Sequence, residues 1–433
     1  IDDGTAADAL ADVTAANATL TAGAGGIGQG GNGAVDVNAS TATAADTSAD
    51  NANIALNLLA TPALVGTLNA GAGNTTLTAS GAVSDANGAT NNVTANDLNV
   101  TAQGGVDLDT TVATLTVDAQ AAGAVNIAES DGITLTSVVT ADGAVSVIAG
   151  GAMIATLVTA GGAGPGDDVS LTTTGAGDIA AGAVTALGDA VTLSAAANIV
   201  EAAPLDAAAD VSATTITLVA GTGGAGAIGT AAADAELDID LAVGGTLSVT
   251  TAGAGGDIHL AETSGRLATS EITTVATPGG AVTIVLENRD GGFDVDSGAA
   301  WPPGGGSDDT ITLSALNTAA SAGNDDIIFA ASSSVTTTGN VTLDTVGAVS
   351  DAGGDTTVDV AAAGLVITSA TGVGAAGEAI ETSVGTLDVV NGTSGAVVIA
   401  ESDGVTVNRA TTVDAAVTIT SDTGNILIGA TAT

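Results

Sequence analysis

Residues 123–132 read GAVNIAESDG, residues 256–265 read GDIHLAETSG and residues 395–404 read GAVVIAESDG. Glu129, Glu262 and Glu401 mark the same place in the three copies, so one long repeat runs between the first two and a slightly longer one between the second and the third. The similarity extends outward from these cores. LDTTVATLTV at 108–117 precedes the first copy, and IETSVGTLDV at 380–389 precedes the third. GAVSDA at 81–86 recurs at 347–352, with ANIVEA at 197–202 as a worn version. Self-similarity at a nearly fixed spacing marks an array of stacked units. It tilts function toward spacing, display or filament building.

The local texture is strand, turn, strand. AVTLS (190–194), VTIV (282–285), TITLS (310–314), VTLD (341–344) and VTIT (417–420) alternate apolar and small polar residues. Alternation with β-branched residues predicts strands with one face buried. Gly, Asp and Asn bound these runs, and 62 glycines serve the corners. No helix is expected: the alanine-rich stretch at 206–209 is short and leads directly into TTITLVA at 214–220.

The strand at Val145 is followed by one at Val169 and another at Val191, a spacing in the low twenties each time. Three short strands per interval of this length match one coil of a parallel β-helix. The expected fold is therefore all-β, a parallel β-helix solenoid of roughly 18 coils, a rod about 85 Å long at the inter-strand spacing. An array of β-sandwiches would need repeats of about 90–110 residues and bulky aromatic cores. Aromatic residues are only 1% of this chain.

On this reading residues 1–433 form one continuous solenoid with three degenerate long repeats, about 1–130, 131–262 and 263–401, then the start of a further one. Residues 286–310 (LENRDGGFDVDSGAAWPPGGGSDDT) break the texture and are expected to be a loop inserted between coils. They hold Phe293, Arg289, the only tryptophan, Trp301, and a Pro–Pro pair. Two readings stand for the aromatics: a projecting, ligand-binding loop, or rings that pack back on the coils.

Charge narrows the partners. The chain has 48 acidic residues, three arginines, no lysine and one histidine, for a net charge of −45. Nothing here can neutralise phosphates, which excludes nucleic acid and disfavours an anionic membrane surface. Hydrophobic residues at 45% and a mean hydropathy of +0.49 exclude a disordered chain. Cysteine is absent, which rules out disulfides and thiolate metal sites. No run approaches about 18 apolar residues, so no membrane span is expected. Residues 1–10 (IDDGTAADAL) have neither a basic region nor an apolar core, the pattern of a processed product or a piece of a longer chain.

The assembled repeat runs GAVSDA, a Thr/Asn/Ala stretch, a strand such as LNVTA (98–102), a Gly turn, L-x-T-x-V-x-T-L, then G-A-V-x-I-A-E-S-D-G. It resembles the repeats of filamentous-haemagglutinin-like, β-strand-repeat giant bacterial surface adhesins, from about residue 25 to residue 433. The resemblance implies a right-handed β-helix, an extracellular or cell-surface location and a role in adhesion or matrix. It brings no catalytic residues, and the secretion domain typical of haemagglutinin-like exoproteins is not visible.

Glu129 with Asp131, and Glu401 with Asp403, place two carboxylates at i and i+2 beside a glycine turn. Such a pair suits Ca²⁺ shared with backbone carbonyls, or simply a solvated turn. Ser264 replaces the second acid in the middle copy. Asp167–Asp168, Asp308–Asp309 and Asp325–Asp326 are strand-entry turns with the same weaker potential for calcium. His259 is expected to face solvent, and each arginine to make local ion pairs worth at most about 1 kcal/mol. Asn17, Asn38, Asn74, Asn92, Asn340 and Asn391 lie in N-x-S/T sequons.

Three functions compete. The first is a structural rod, a segment or subunit of an extracellular fibre, sheath or giant adhesin. The second is a glycan-binding tip or phage-fibre-like module acting through Phe293 and Trp301. A polysaccharide lyase is the third, and it fails for want of cations beside a base. No enzyme activity is expected. Neither 1–20 nor GNILIGATAT at 424–433 looks like a polar cap, so the expected partner is self, end to end, or a continuation of the array.

Overall fold

The computed structural model describes residues 1–3, 10–29, 33–162, 164–232, 235–252, 255–276, 281–303, 308–316 and 325–429. Residues 304–307 of the expected loop, and 4–9 and 430–433 near the two ends, lie outside them. The described residues are all-β and without helix, their parallel strands stacked in coils of a β-solenoid of about 17 turns. The chain packs as two compact units, Ile1–Pro204 with Asp210–Thr214, and Leu205–Ala209 with Thr215–Thr433. The division falls near residue 210, away from the long-repeat boundaries at 130 and 262.

In the first unit the expected spacing appears directly as strand register. Val125 pairs with Val145, Val145 with Val169 and Val169 with Val191. Ile127, Val147, Leu171 and Leu193 form the neighbouring file. None of these eight side chains is more than 3% exposed. Pleating turns each alternate residue inward, so one aliphatic sits on the next at every coil. The residues between them, Asn126, Ser146, Ser170 and Thr192, face outward. Coils are not of fixed length: the one from Leu98 to Leu115 is much shorter than the one from Val145 to Val169. The corners absorb the difference, because only the strands need to register.

In the second unit one inward file runs Ile258, Ile284, Ile311, Val341, Leu365, Leu387 and Val407. A second runs Leu260, Leu286, Leu313, Leu343, Ile367 and Val389. Each buried aliphatic contributes about 1.5–3 kcal/mol by its removal from water. Small aliphatics suffice because a coil of three short strands encloses too little space for a thick core.

The stretch 286–310 is not a projecting loop. Thr283–Asn288, Phe293–Val295, Ala300–Trp301 and Thr310–Ala315 are strands of the stack. Phe293 stands in register between Leu267 and Ile327, and Trp301 pairs with Val335. Phe293 is 0% and Trp301 1% exposed. The texture looked broken because strands as short as Phe293–Val295 and Ala300–Trp301 cannot show alternation. The coil from Phe293 to Ile327 is also a long one, and it includes residues 317–324, outside those described.

Candidate functional site

The residues that mark the repeat point inward. Glu129 ends strand Val125–Glu129, opposite Thr110 of the preceding coil. Its Oε2 accepts hydrogen bonds from Thr110 Oγ1 at 2.8 Å and from Val112 N at 3.0 Å, and its Oε1 from Asp131 N at 3.3 Å. Glu401 repeats this, accepting from Thr382 Oγ1 at 2.7 Å and Val384 N at 3.1 Å. Glu262 accepts from Leu241 N at 3.3 Å and Ser264 N at 3.2 Å. Glu129, Glu401 and Glu262 are 4%, 1% and 2% exposed.

One physical need explains the motif. Where the chain turns out of its ladder, a backbone N–H is buried with no strand partner. A glutamate on the next coil reaches back to fill it, and the residues after it close a tight turn on the same carboxylate. The middle copy has Ile239 where the others have threonine, so one donor is missing. There burial pushes the Glu262 carboxyl up to about 8, with Asp240 and Glu271 adding to the shift. Burial raises Glu129 and Glu401 as well, opposed by the threonine hydroxyls and backbone N–H groups. Replacing Thr382 or Thr110 by valine should therefore lower stability by about 1–2 kcal/mol. Urea midpoints at neutral pH check this, with the companion glutamate titrating still higher.

This geometry corrects both sequence-based readings of the glutamates, as calcium ligands and as solvated turns. Asp131 and Asp403 are exposed while Glu129 and Glu401 are buried. The glutamate oxygens already accept from N–H and O–H donors, whose positive ends face where a cation would sit. Among the described residues no group of three or more His, Asp or Glu side chains is arranged to hold a metal ion.

Other acids also tie coil to coil. Asp168 Oδ1 accepts from Ala190 N at 3.0 Å, Asp326 Oδ1 from Ala348 N at 2.7 Å, and Asp257 Oδ1 from Thr283 N at 2.8 Å. The Asp–Asp turns are thus strand entries whose carboxylates hold the adjacent coil. Asn92 and Asn391, both sequon residues, are 0% and 2% exposed. Their amides donate to backbone carbonyls such as Val65 O and Gly395 O, so neither presents a glycan acceptor in the folded chain.

A second cluster follows no repeated motif of the sequence. Arg289 is only 6% exposed and binds Asp238 at 2.6 Å, Glu287 at 3.0 Å and Glu236 at 3.3 Å. Asp238 and Glu287 lie in register on either side of Ala261, so the arginine spans successive coils. His259 is buried too, at 5%, rather than facing solvent. Burial lowers its pKa, against the opposing pull of Asp257 and Glu236. The signal that was missed is compositional: the one histidine and two of the three arginines, Arg266 and Arg289, fall within a short span of the chain. Arg266 and Arg409 make the expected local pairs, with Asp294 and Asp388.

Trp301 borders a shallow groove lined by Thr269, Ser270, Thr273, Ser297 and Pro303. Its Nε1 has no hydrogen-bond partner among the described residues, but the ring is too buried for a sugar to stack on it. The binding role expected for Phe293 and Trp301 therefore lacks an exposed ring.

Fold and site together define a class, the parallel β-solenoid whose acidic residues fasten one coil to the next. No protein-family model, curated protein or solved structure matches the chain.

Proposed function

We propose that this chain is a non-catalytic structural segment of an extracellular or cell-surface fibre, sheath or giant adhesin, working as a rod that spaces or displays other parts. The observation that carries this reading is the inward orientation of Glu129, Glu262 and Glu401. A repeat built for ligand binding would turn its most distinctive residues to solvent. Here they serve stacking, so the repeated feature is the joint between coils. The large negative charge keeps such a surface soluble and leaves it without affinity for polyanions. No helix among the described residues is long and apolar enough to cross a membrane.

Stacking of a further coil on this face, from a second copy of the chain or from a continuation of the array, belongs to the same reading. In the last described coil Val417 pairs with Val397, Ile426 with Val405 and Ile428 with Val407, which are inward positions. Yet Val417 is 40%, Ile426 37% and Ile428 77% exposed. A further coil laid on this face would bury them and pair the open strand edges. Sedimentation velocity of the 433-residue chain tests the proposal. Concentration-dependent growth into linear particles is expected, abolished by Ile426→Asp with Ile428→Asp. A monodisperse monomer at every concentration would sink it.

A further inference from the structure

We propose that Asp359 is held as a neutral carboxylic acid that donates a hydrogen bond inside a corner of the second unit, and that loss of its proton loosens that corner. The argument is an internal comparison. Aligning GAVSDA at 81–86 with GAVSDA at 347–352 sets Asp85 against Asp351, and aligning the strands that follow sets Asn92 against Asp359 and Asp109 against Glu381. The backbone contacts coincide. Leu68 N donates to Asn92 O at 2.7 Å, and Val335 N to Asp359 O at 2.8 Å. Asn92 N donates to Asp109 O at 2.7 Å, and Asp359 N to Glu381 O at 2.9 Å. One side-chain contact coincides as well: Asp109 N donates to Asn92 Oδ1 at 2.8 Å, and Glu381 N to Asp359 Oδ2 at 2.9 Å.

The two corners differ at the other half of the side chain. Asn92 Nδ2 is a donor and binds Asp85 Oδ1 at 2.7 Å and Val65 O at 2.9 Å. An ionised Asp359 has nothing to donate. Two acceptors in its corner wait for a donor: Asp351 Oδ2 and Glu381 Oε2 are buried without a hydrogen-bond partner among the described residues. Asp351 is 3% and Asp359 4% exposed, so the corner is shielded from bulk solvent. A proton on Asp359 Oδ1 restores the missing donor, with Oδ2 still accepting from Glu381 N.

The charged groups around Asp359 are all acidic. Asp351 faces it from the end of strand Val349–Asp351 and Glu381 from strand Ile380–Asn391, with Asp355 in the intervening turn acting on Glu381. Strand Ser334–Thr336, packed on the other side, carries no charge. The arginines are paired elsewhere, with Asp294, with Asp388, and with Glu236, Asp238 and Glu287. Burial holds the Asp359 carboxyl up at about 8, and the like charges of Asp351 and Glu381 add to it. A carboxyl raised in the folded state stabilises fully below its unfolded pKa, and that stability is lost as pH rises through the folded value.

The test exchanges the two residues in the full chain. Asp359→Asn supplies the amide permanently. It should fold, and proton uptake on folding should drop by about one near pH 6–7, with a weaker fall of the Trp301-monitored urea midpoint between about pH 5 and pH 8. Asn92→Asp should import the behaviour into the first unit, read as a new fall in its circular-dichroism midpoint over the same range. Carboxyl ¹³C titration of Asp359 in the unaltered protein should show the neutral form at neutral pH. An ordinary titration, an unchanged pH dependence in Asp359→Asn, or loss of stability in that variant near pH 6 would overturn the proposal. If Asn92→Asp fails to fold at high pH but folds at low pH, the proposal is supported; failure at both together with an unchanged pH profile in Asp359→Asn overturns it.

Discussion

Arg289→Ala is expected to destabilise the second unit by about 3–5 kcal/mol, among the largest single-residue losses available in this protein. The guanidinium is shared by Asp238, Glu287 and Glu236, and Asp238 is fully buried. Removing the cation leaves three carboxylates facing one another, one of them with no route to water. The penalty is the uncompensated charge rather than the worth of the pairs, because an intact buried pair roughly offsets its own desolvation. Arg289→Lys should recover only part of the loss, since an ammonium does not reproduce the planar fork that reaches three acceptors. Arg289→Met combined with Asp238→Leu should lie closer to the unaltered protein than Arg289→Ala does. The single tryptophan, Trp301, lies in the same unit, so its fluorescence during urea unfolding reports the measurement. A loss below about 1 kcal/mol would mean that the cluster relaxes into water and behaves as a surface pair.

The second unit should also become less stable as pH rises from mildly acidic to mildly alkaline, the reverse of ordinary acid denaturation. Glu262 is 2% exposed and its carboxyl stands at about 8 against an ordinary 4.5, chiefly because it is buried. Folding therefore takes up a proton between those values. Stability from this group is complete below about pH 4.5 and gone above about pH 8, a difference on the order of 5 kcal/mol. Glu262→Gln keeps the size and an acceptor for Leu241 N and carries no charge to desolvate. It should match the unaltered protein near pH 5, exceed it near pH 8, and show a correspondingly flatter profile. The Trp301-monitored urea midpoint across that range is the measurement. Parallel pH profiles for the two proteins would show that Glu262 is ionised in the fold. Ile239→Thr, which restores the donor present in the other copies, should shift Glu262 down and flatten the profile by a different route.

Much of the architecture was legible in the sequence, for a reason visible in particular residues. Val145, Val169 and Val191 pair directly, at the low-twenties spacing of their sequence positions. Stacking like on like in a parallel ladder copies sequence period into coil length, and alternation within each strand then sets which side chain is inside. The aromatic stretch 286–310 defeated the same logic. Its strands are too short for alternation, and the burial of Phe293 depends on Leu267 and Ile327, each a long coil away.

The candidate site was half legible. The repeat singled out Glu129, Glu262 and Glu401 as one position, and it did so without structure. It did not say that they point inward, because a charged residue beside a glycine turn is ordinarily solvated. What reverses that expectation is a donor from the preceding coil: Val112 N for Glu129, Leu241 N for Glu262 and Val384 N for Glu401. The same holds for Arg289 with Asp238, far apart in the chain, and for Asp359, whose neutral state follows from what Asn92 does in another corner. The sequence by itself therefore determined the period, the strand texture and the small-aliphatic core, since these follow from local alternation and self-similarity. The tertiary structure alone decided which polar groups are buried and charged or neutral, because that depends on how many donors, acceptors and waters the neighbouring coils leave within reach of each one.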